Sequence, residues 1–318
     1  MMSSAPVHIL FLGGAKRVSL AEHLIQSGKE KGIPVHIYSY ELNKEVPISE
    51  TATILEGRRW ADPGLLAHLE KCIRDHQIRM VIPFVDPATV VASELKKRIP
   101  ELFIPASPAE ISRLFFSKIK TQKWCIENHI PVPQETQSEF PLIAKPDAGS
   151  ASKGIEILTD QNALVLFLES HSGEEYLIQK YVRATEYTVD AYRSITDGTI
   201  CYMVPRIRLE VQGGEAIKSR TVRYPEMEEL SRKIIEKAGL YGAITLQFLE
   251  ENGSRQIYFM EVNPRFGGGV VTGLGAGLDI FNCLLTDAAG EPGKEQSWED
   301  NVLMMRRFKE IYIHANHH

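Results

Sequence analysis

Residues 243–265 read AITLQFLEENGSRQIYFMEVNPR. Apolar residues on both sides of Asn252-Gly253 predict two antiparallel strands, over 243–249 and 256–262. Glu261 and Asn263, two residues apart, point to the same face of their strand, and Gln247 on the neighbouring strand could join them. Such carboxylate and amide oxygens suit Mg²⁺, which typically fills its other positions with water and nucleotide phosphates. The stretch therefore predicts a site for Mg²⁺ and a nucleotide.

The register of this hairpin decides whether Gln247 reaches Glu261. Asn252-Gly253 would normally form a two-residue turn, which places Gln247 opposite Tyr258 and turns it away from Glu261. A five-residue loop instead places Gln247 directly opposite Glu261, and we predict this longer loop. The face predicted for Glu261 also carries Ile257, Phe259, Asn263 and Arg265.

The composition is that of a folded globular chain. Of its 318 residues, 43% are hydrophobic and 24% are charged, which predicts a sizeable core. The net charge of -5 is spread along the chain and predicts no binding of nucleic acid or of a membrane surface. The four cysteines lack metal-type spacing and are expected to be reduced thiols, so we predict a cytoplasmic protein.

Strands alternate with helices in the first third of the chain. Strands are predicted at 7–12, 34–40 and 80–84, with helices up to about residue 31 and over 65–76. This alternation is typical of a parallel sheet with right-handed crossovers, and the unit is expected to end near residue 108.

The turn at Gly13-Gly14 invites a dinucleotide-binding interpretation. No third glycine completes the fingerprint, and Glu41 is only a faint candidate for a ribose contact. A tight turn over the sheet is therefore favoured. An anionic substrate at the start of the following helix stays open.

The rest of the chain mixes strands and helices differently. Strands are predicted at 142–145, 154–158, 176–182, 187–192 and within 206–220. Helices are predicted at 118–128, 162–170, 225–238 and within 277–289, the first of them capped by Ser117.

Two lysines and a loop of small residues form a candidate phosphate site. Lys145 ends an apolar strand and must reach a partner or solvent, because a buried unpaired ammonium is costly. The loop after it can offer backbone N–H groups to phosphate oxygens without blocking side chains. Its residues are Gly149, Ser150, Ala151, Ser152, Lys153 and Gly154. Lys118 is, on local evidence, equally a surface lysine or a phosphate ligand.

Two more segments carry candidate side chains. The strand end Gln179-Lys180-Tyr181-Val182 could offer backbone groups to an adenine, and Glu186 could accept both ribose hydroxyls. Basic residues around Gly213-Gly214 suit carboxylates and phosphates; they are Arg206, Arg208, Lys218, Arg220 and Arg223. The alternative is a solvated edge strand, which we expect to account for Arg208 and Arg223.

The candidate residues above, taken in their order along the chain, resemble the pattern of the ATP-grasp superfamily. The likeness is greatest to one ATP-grasp unit of the carbamoyl-phosphate synthase large subunit with its preceding domain. The likeness covers nearly the whole chain. It is most specific in Gln247…Glu261-x-Asn263-Pro264-Arg265 and in Lys145-Pro146 with the loop that follows. Ser117 departs from the acid that the family usually has there, and Gln179 from the more usual glutamate.

The resemblance implies a fold class of α/β and α+β. It implies a Rossmann-like pre-ATP-grasp domain over 1–108. An ATP-grasp fold would follow, with a lid subdomain over 109–182 and a C-terminal subdomain over 183–318 that has an antiparallel sheet and the metal site.

The resemblance also implies roles for the candidate residues. ATP phosphates would be bound by Lys118 and Lys145 and covered by the loop 149–154. The adenosine would be contacted by Gln179, Lys180, Tyr181, Val182 and Glu186. Two Mg²⁺ ions, for which Mn²⁺ could substitute, would be held by Gln247, Glu261 and Asn263. The transferring phosphoryl group or the acceptor would be steadied by Arg265, Arg206, Arg220 and Lys218.

In such enzymes a carboxylate attacks the γ-phosphate of ATP, and an amine or ammonia then displaces phosphate from the acyl phosphate. Positioning and charge neutralisation by lysines, arginines and Mg²⁺ carry this chemistry. The resemblance therefore implies a carboxylate–amine ligase with small-molecule substrates, for which a homodimer is a reasonable expectation. A full carbamoyl-phosphate synthase large subunit has two ATP-grasp units and this chain has one, so we expect a stand-alone ligase.

Two other hypotheses are weighed against the ligase. One is an ATP-binding subunit or sensor without its own catalysis, against which the Glu261 and Asn263 pair argues. The other is a nicotinamide oxidoreductase built on residues 1–108, which the incomplete glycine fingerprint disfavours.

Overall fold

The computed structural model describes residues 6–149, 153–307 and 309–312. The strands of these residues form three sheets, of four, three and six strands. The four-stranded sheet is parallel and comes first in the chain, and the other two are antiparallel. The predicted mixture of α/β and α+β architecture is therefore confirmed.

The first sheet has the strand order β3-β2-β1-β4. Its strands are β1 (Val7–Leu12), β2 (Val35–Glu41), β3 (Thr53–Glu56) and β4 (Met80–Pro83). Its helices are α1 (Val18–Glu30), α2 (Leu65–Asp75) and α3 (Asp86–Arg98). Ile9 and Phe11 pack in one core cluster and Leu10 and Leu12 in another, because both faces of this parallel sheet are covered. This two-sided burial explains the unbroken apolar run of β1. The short strand β3 and the helix α3 were not predicted from the sequence.

The second sheet has the order β6-β5-β7 and follows two helices, α4 (Ala109–Phe116) and α5 (Lys118–Glu127). Its elements are β5 (Leu142–Pro146), β6 (Glu156–Leu158), α6 (Gln161–Ser170) and β7 (Tyr176–Lys180). Ser117 caps α5 as predicted, since its hydroxyl oxygen accepts the N–H of Lys120. Asp147, just after β5, accepts hydrogen bonds from the Ser117 hydroxyl and the Ile119 N–H. These bonds tie the start of α5 to the end of β5.

The six-stranded sheet has the order β12-β11-β8-β9-β10-β13. Its strands are β8 (Ala184–Arg193), β9 (Ile200–Gln212), β10 (Glu215–Thr221), β11 (Gly242–Glu251), β12 (Ile257–Asn263) and β13 (Leu303–Met305). Its helices are α7 (Pro225–Ala238), α8 (Val271–Gly275) and α9 (Ile280–Ala288). One strand was predicted within 206–220, and the structure has two strands there, β9 and β10. The first of them already begins at Ile200, and its first half is buried in the core.

The β11–β12 hairpin places Gln247 opposite Glu261, as predicted, but by a different route. The loop comprises residues 252–255, one fewer than the five predicted, because Glu251 donates its N–H to Gln256. Near the loop, Phe248 therefore pairs with Phe259, and a bulge at Met260 then shifts the register by one residue.

The bulge also changes which side chains face the pocket. Phe259 is 1% exposed and packs in the core with Val262, whereas Glu261 lines a pocket on the other side. The prediction that Phe259 and Ile257 share the face of Glu261 is therefore wrong, because the extra residue inverts the alternation of side chains along β12.

One hydrophobic cluster joins the first sheet to the six-stranded sheet. It contains Ile9 and Leu24 from the first unit together with Tyr202 of β9 and Phe281 of α9. Within the described ranges, no single helix is long and apolar enough to cross a membrane. Among the described helices, one pair, Gly268–Gly275 with Ile280–Ala288, meets that test when its two helices are taken together, and this pair is bent by 102°.

Candidate active site

One face of the six-stranded sheet carries polar side chains in rows across the strands. In the longest row, Arg206, Thr188, Gln247 and Glu261 lie opposite one another on β9, β8, β11 and β12. Neighbouring strands are about 4.8 Å apart, so the Cα atoms of Arg206 and Glu261 are about 14 Å apart. The next row aligns Asp190, Thr245 and Asn263. The antiparallel register thus brings together residues from distant parts of the sequence.

Glu261 is the centre of the predicted metal site. Its Oε1 accepts hydrogen bonds from Nε2 of Gln247 at 2.6 Å and from Nδ2 of Asn263 at 3.1 Å. The two amide oxygens are held by arginines, that of Gln247 by Arg208 and that of Asn263 by Arg265, each at 3.0 Å. All three predicted metal ligands therefore meet at one point.

This donor set fits a hard cation such as Mg²⁺. Rotating either amide by about 180° would present its oxygen beside the Glu261 carboxylate, and Mg²⁺ commonly takes few protein ligands. Over the described ranges, no group of three or more histidine, cysteine, aspartate or glutamate side chains stands close enough to hold a metal. A cation here would therefore depend on the amide oxygens and on ligands from outside the chain.

Lys145 is almost completely buried and has a neutral partner. Its Nζ donates to Oε1 of Gln179 at 3.0 Å. The amide of Gln179 has a fixed orientation, because its Nε2 donates to Gln122 at 2.9 Å and to the Pro133 carbonyl at 3.1 Å. Gln122 itself donates to the same carbonyl at 3.0 Å. The Pro133 carbonyl needs a hydrogen-bond donor, which a glutamine at position 179 provides and a glutamate could not. Lys145 is consequently left without contact to a carboxylate.

The environment of Lys145 lowers its pKa to about 8. The main cause is burial, and the charge of Lys118 acts in the same direction. The carboxylates of Glu261 and Glu186 oppose the shift. Lys145 is therefore mostly charged at pH 7 and mostly neutral at pH 9.

The affinity for a nucleotide should consequently fall as pH rises through 8. If phosphates bind the charged form of Lys145, the Kd for Mg-ADP should be about tenfold higher at pH 9 than at pH 7. Calorimetric titration at both pH values measures this ratio. Gln179→Glu should move the fall to higher pH, because a carboxylate would stabilise the ammonium. An equal Kd at the two pH values would contradict the assignment of Lys145.

A cavity of about 320 Å³ lies beside Lys145 and holds most predicted nucleotide contacts. The predicted residues on its walls are Lys118, Lys145, Gly149, Lys180, Tyr181, Val182 and Glu186. Gln179 lies behind Lys145, buried, and Gly154 is not on the walls of this cavity. The backbone N–H groups of Lys180 and Tyr181 already donate to Gln134 and Pro141. Ser150 and Ser152 lie outside the described residues.

A second cavity of about 320 Å³ adjoins the first, and Gln247, Glu261, Arg208 and Gly214 line both. The other charged residues on its walls are Arg17, Asp86, Arg206, Glu215 and Arg265. Arg17 and Asp86 belong to the first unit and were missed, since nothing in their local sequence distinguishes them from surface charges. Lys218 and Arg220, predicted to be catalytic, line none of the cavities described. Lys218 and Arg220 lie away from these cavities because β10 contains bulges and Arg220 is exposed.

Arg208 is not the solvated residue that was expected. Its side chain is 12% exposed and donates to Glu186 at 2.9 Å, to Gln247 at 3.0 Å and to the Gly214 carbonyl at 3.2 Å. It therefore links the predicted ribose contact to the predicted metal site. Alternation along β9 from Arg206 would have placed it on this face.

Two further arginines of the second cavity are held by aspartates. Nε of Arg206 donates to Asp190 at 2.7 Å, and both side chains are at most 4% exposed. Nε of Arg265 donates to Asp86 at the start of α3. The second pair ties the first unit to the end of β12 and fixes Arg265 beside Asn263.

The glycine turn before α1 does not offer free backbone N–H groups to a dinucleotide phosphate, because a side chain of the protein accepts them. The carboxylate of Glu41 accepts the backbone N–H groups of Gly14 and Ala15 and the Ser39 hydroxyl. Burial raises the pKa of Glu41 despite these bonds. A protein carboxylate thus fills the position of a dinucleotide phosphate, which argues against a nicotinamide enzyme.

Comparisons with known proteins agree with this architecture. A synthetase of N5-carboxyaminoimidazole from Staphylococcus aureus, complexed with ADP, superposes with a TM-score of 0.73 over 93% of this chain and 80% of that one, at 15% identity. The biotin carboxylase domain of Hydrogenobacter thermophilus 2-oxoglutarate carboxylase gives a TM-score of 0.72 over 93% and 73%, at 16% identity. That domain is a dimer in complex with MgADP, ADP and bicarbonate. These likenesses establish the fold.

A family model described as "ATP-grasp in the biosynthetic pathway with Ter operon" matches residues 172–310, which include the whole β11–β12 hairpin. This match to an ATP-grasp family covers somewhat less than half of the chain, and the solved structures show that the whole chain shares their fold. The chain is also similar to the carbamoyl phosphate synthase large chain of Clostridium beijerinckii, with 30% identity over 172 residues. The arginine-specific large chain of Halalkalibacterium halodurans is 30% identical over 139 residues.

These two large chains are much longer than the part that matches. The first match covers 49% of this chain and 15% of the Clostridium protein, and the second covers 40% and 13%. The similarity therefore concerns one part of the synthase large chain.

Proposed function

We propose that this chain is an ATP- and Mg²⁺-dependent ligase that joins a small-molecule carboxylate to an amine or ammonia through an acyl phosphate. The observation that carries this proposal is the shared wall of the two cavities. Gln247, Glu261 and Arg208 belong to both, so a nucleotide in the first cavity would direct its terminal phosphate toward a molecule in the second.

The first cavity is suited to ATP. Lys145 and Lys118 would bind phosphate oxygens, Glu186 the ribose, and the segment 180–182 the adenine. Mg²⁺, held by Glu261 with Gln247 and Asn263, would supply the charge neutralisation that phosphoryl transfer needs. We propose two such ions, by analogy with the family, and Mn²⁺ as a substitute.

The second cavity is suited to an anionic acceptor. Arg265 and Arg208 stand beside the predicted metal ligands, where their guanidinium groups can hold a carboxylate and the phosphoryl oxygens. A carboxylate oxygen would attack the γ-phosphorus, the bond to the β,γ-bridging oxygen would break, and ADP would leave. The amine would then attack the acyl carbon, lose a proton and release inorganic phosphate. The side chains position and neutralise charge in this scheme, as phosphoryl transfer requires.

Release of ADP and phosphate from Mg-ATP tests the proposal. The assay would use pooled carboxylates and amines, with bicarbonate and ammonia included, because the large chains that this protein resembles are named carbamoyl phosphate synthases. Release that requires a carboxylate, and an amine for product formation, is the expected result. Tight binding of ATP with no release from any pool would favour an ATP-binding subunit or sensor instead.

We also propose the division into units over 1–108, 109–182 and 183–318. It is supported by the positions of the three sheets, whose strands cover 7–83, 142–180 and 184–305. A homodimer is a further proposal, and sedimentation of the full chain would test it.

A further inference from the structure

Arg17 and Arg206 lie on the wall of the second cavity, at the end farther from Glu261, and Arg306 lies beside them. Arg17 donates to Glu215 at 2.6 Å, and Arg206 donates to Asp190 at 2.7 Å. Arg306, after β13, donates to the carbonyls of Ala216 and Gly268, and its guanidinium lies 3.9 Å from Glu215. Three guanidinium groups thus face two carboxylates, a surplus of one positive charge.

The electrostatics of Glu215 show the same excess of cations. Burial alone would raise the pKa of this carboxyl, but the charges of Arg17, Arg306 and Lys16 outweigh it and leave the pKa lowered. Arg306 in turn has its pKa lowered, by burial first and also by Arg17 and Arg206. A surplus of partly buried cations is unfavourable unless an anion joins it.

Arg206 has a hydrogen-bond donor without a partner. Its side chain is 4% exposed, and among the described residues no acceptor reaches its Nη1. Buried guanidinium donors are normally satisfied, so this one marks a missing group. Arg206 also forms part of the wall of the second cavity.

Three consecutive glycines let the backbone lie against these charges. A Cβ on Gly269 would come within 2.3 Å of Nη2 of Arg206 and 2.7 Å of its Nη1. A Cβ on Gly268 would come within 2.9 Å of Nη1 of Arg17 and 3.0 Å of Glu215. Any larger residue would displace the guanidinium groups, so the glycines preserve the arrangement. We call Arg17, Arg206, Arg306 and Gly267–Gly269 the arginine cradle.

We propose that the arginine cradle binds a second anionic group of the substrate, a carboxylate or a phosphate remote from the carboxylate that reacts. This inference rests on the proposed function, because the reacting carboxylate must lie beside Glu261. Arg206 is three strands away from Glu261 in the same row, and one cavity contains both. The substrate class is therefore a small acid with two anionic ends.

Calorimetric titration of the full chain with inorganic phosphate tests the cradle directly. The titration is done twice, without nucleotide and with a saturating Mg²⁺ complex of a non-hydrolysable ATP analogue that fills the transfer site. Saturable binding is expected under both conditions. Arg17→Gln should raise the Kd for phosphate about tenfold or more, as expected for a lost charge-assisted bond, and Arg17→Lys should recover part of it.

Matched variants test whether phosphate binding depends on the arginine cradle and not on other cationic residues. Arg232→Gln, on α7, should leave the Kd for phosphate unchanged. Arg265→Gln, at the opposite end of the cavity, should change that Kd little when the ATP analogue fills the transfer site. Arg306→Gln should raise it about threefold and provides a second test if Arg17→Gln fails to fold. The ADP-release assay compares substrates with one and with two anionic ends. Diacids and phosphorylated acids should stimulate ADP release more than monoacids of equal chain length.

Two results would overturn the inference. One is the absence of saturable phosphate binding to the unmodified chain. The other is binding that depends on Arg265 but not on Arg17 or Arg306, which would place the anion beside the metal ligands instead. Failure of the proposed function is distinguished separately, because it would appear as lack of binding of the Mg²⁺ nucleotide complex while phosphate still binds the cradle.

Discussion

Replacing Glu261 with glutamine is expected to abolish substrate-stimulated ADP release, with a loss in kcat of about 100-fold or more. The carboxylate is the acidic member of the group that it forms with Gln247 and Asn263, and an amide cannot neutralise a divalent cation. Loss of one preorganised charge stabiliser commonly costs 10²–10³ in rate, so about two orders of magnitude is the expected scale.

The fold should survive this change. A glutamine at 261 retains an oxygen that can accept the two amide hydrogen bonds, so the melting temperature should stay close to that of the unmodified chain. Glu229→Gln, the same substitution at an exposed position on α7, serves as the control and should keep full activity. Activity of Glu261→Gln near that of the control, at any Mg²⁺ concentration, would remove Glu261 from the proposed metal site.

Replacing Lys145 with methionine should raise the Kd for Mg-ADP by about 10- to 100-fold. A hydrogen bond to a charged group contributes about 1.5–3 kcal/mol, which corresponds to this range. Lys145 is placed for that contact because it lies on the cavity wall with its Nζ held by Gln179.

The same variant should change the free energy of unfolding by less than about 2 kcal/mol. Removing the buried ammonium relieves its desolvation cost, while the Oε1 of Gln179 loses its donor, and these two effects oppose each other. Lys120→Met, at an exposed position on α5, is the control and should bind Mg-ADP normally. A large loss of stability with unchanged affinity would assign Lys145 a structural role.

The relation between pKa and stability has a definite sign here. The pKa of Lys145 is lowered on folding, so the folded state holds fewer protons than the unfolded state between pH 8 and the ordinary lysine range. The cost of burying this lysine is fully present below pH 8 and diminishes as pH rises. Optimal nucleotide binding and minimal folding cost therefore lie at different pH values.

Local patterns in the sequence were sufficient for several of the secondary elements that carry the site. The apolar run of β1, the Ser117 cap and the strand ending at Lys145 all follow from side-chain preferences over a few residues. The pairing of Gln247 with Glu261 was also predictable, because a shared metal requires both on one face. The length of the loop was not predictable, since a four-residue loop followed by a bulge and a five-residue loop both place Gln247 opposite Glu261.

Taken alone, the sequence was enough to propose which residues bind a nucleotide and a cation, because ligand chemistry resides in the side chains. The tertiary structure alone decided which side chains meet. Arg17 reaches Glu215, Asp86 reaches Arg265, and Gln122 supports Lys145 through Gln179 across long separations in the chain. Such contacts depend on sheet register, on the Met260 bulge and on packing between units, which are collective results of burial and hydrogen bonding that no local pattern specifies.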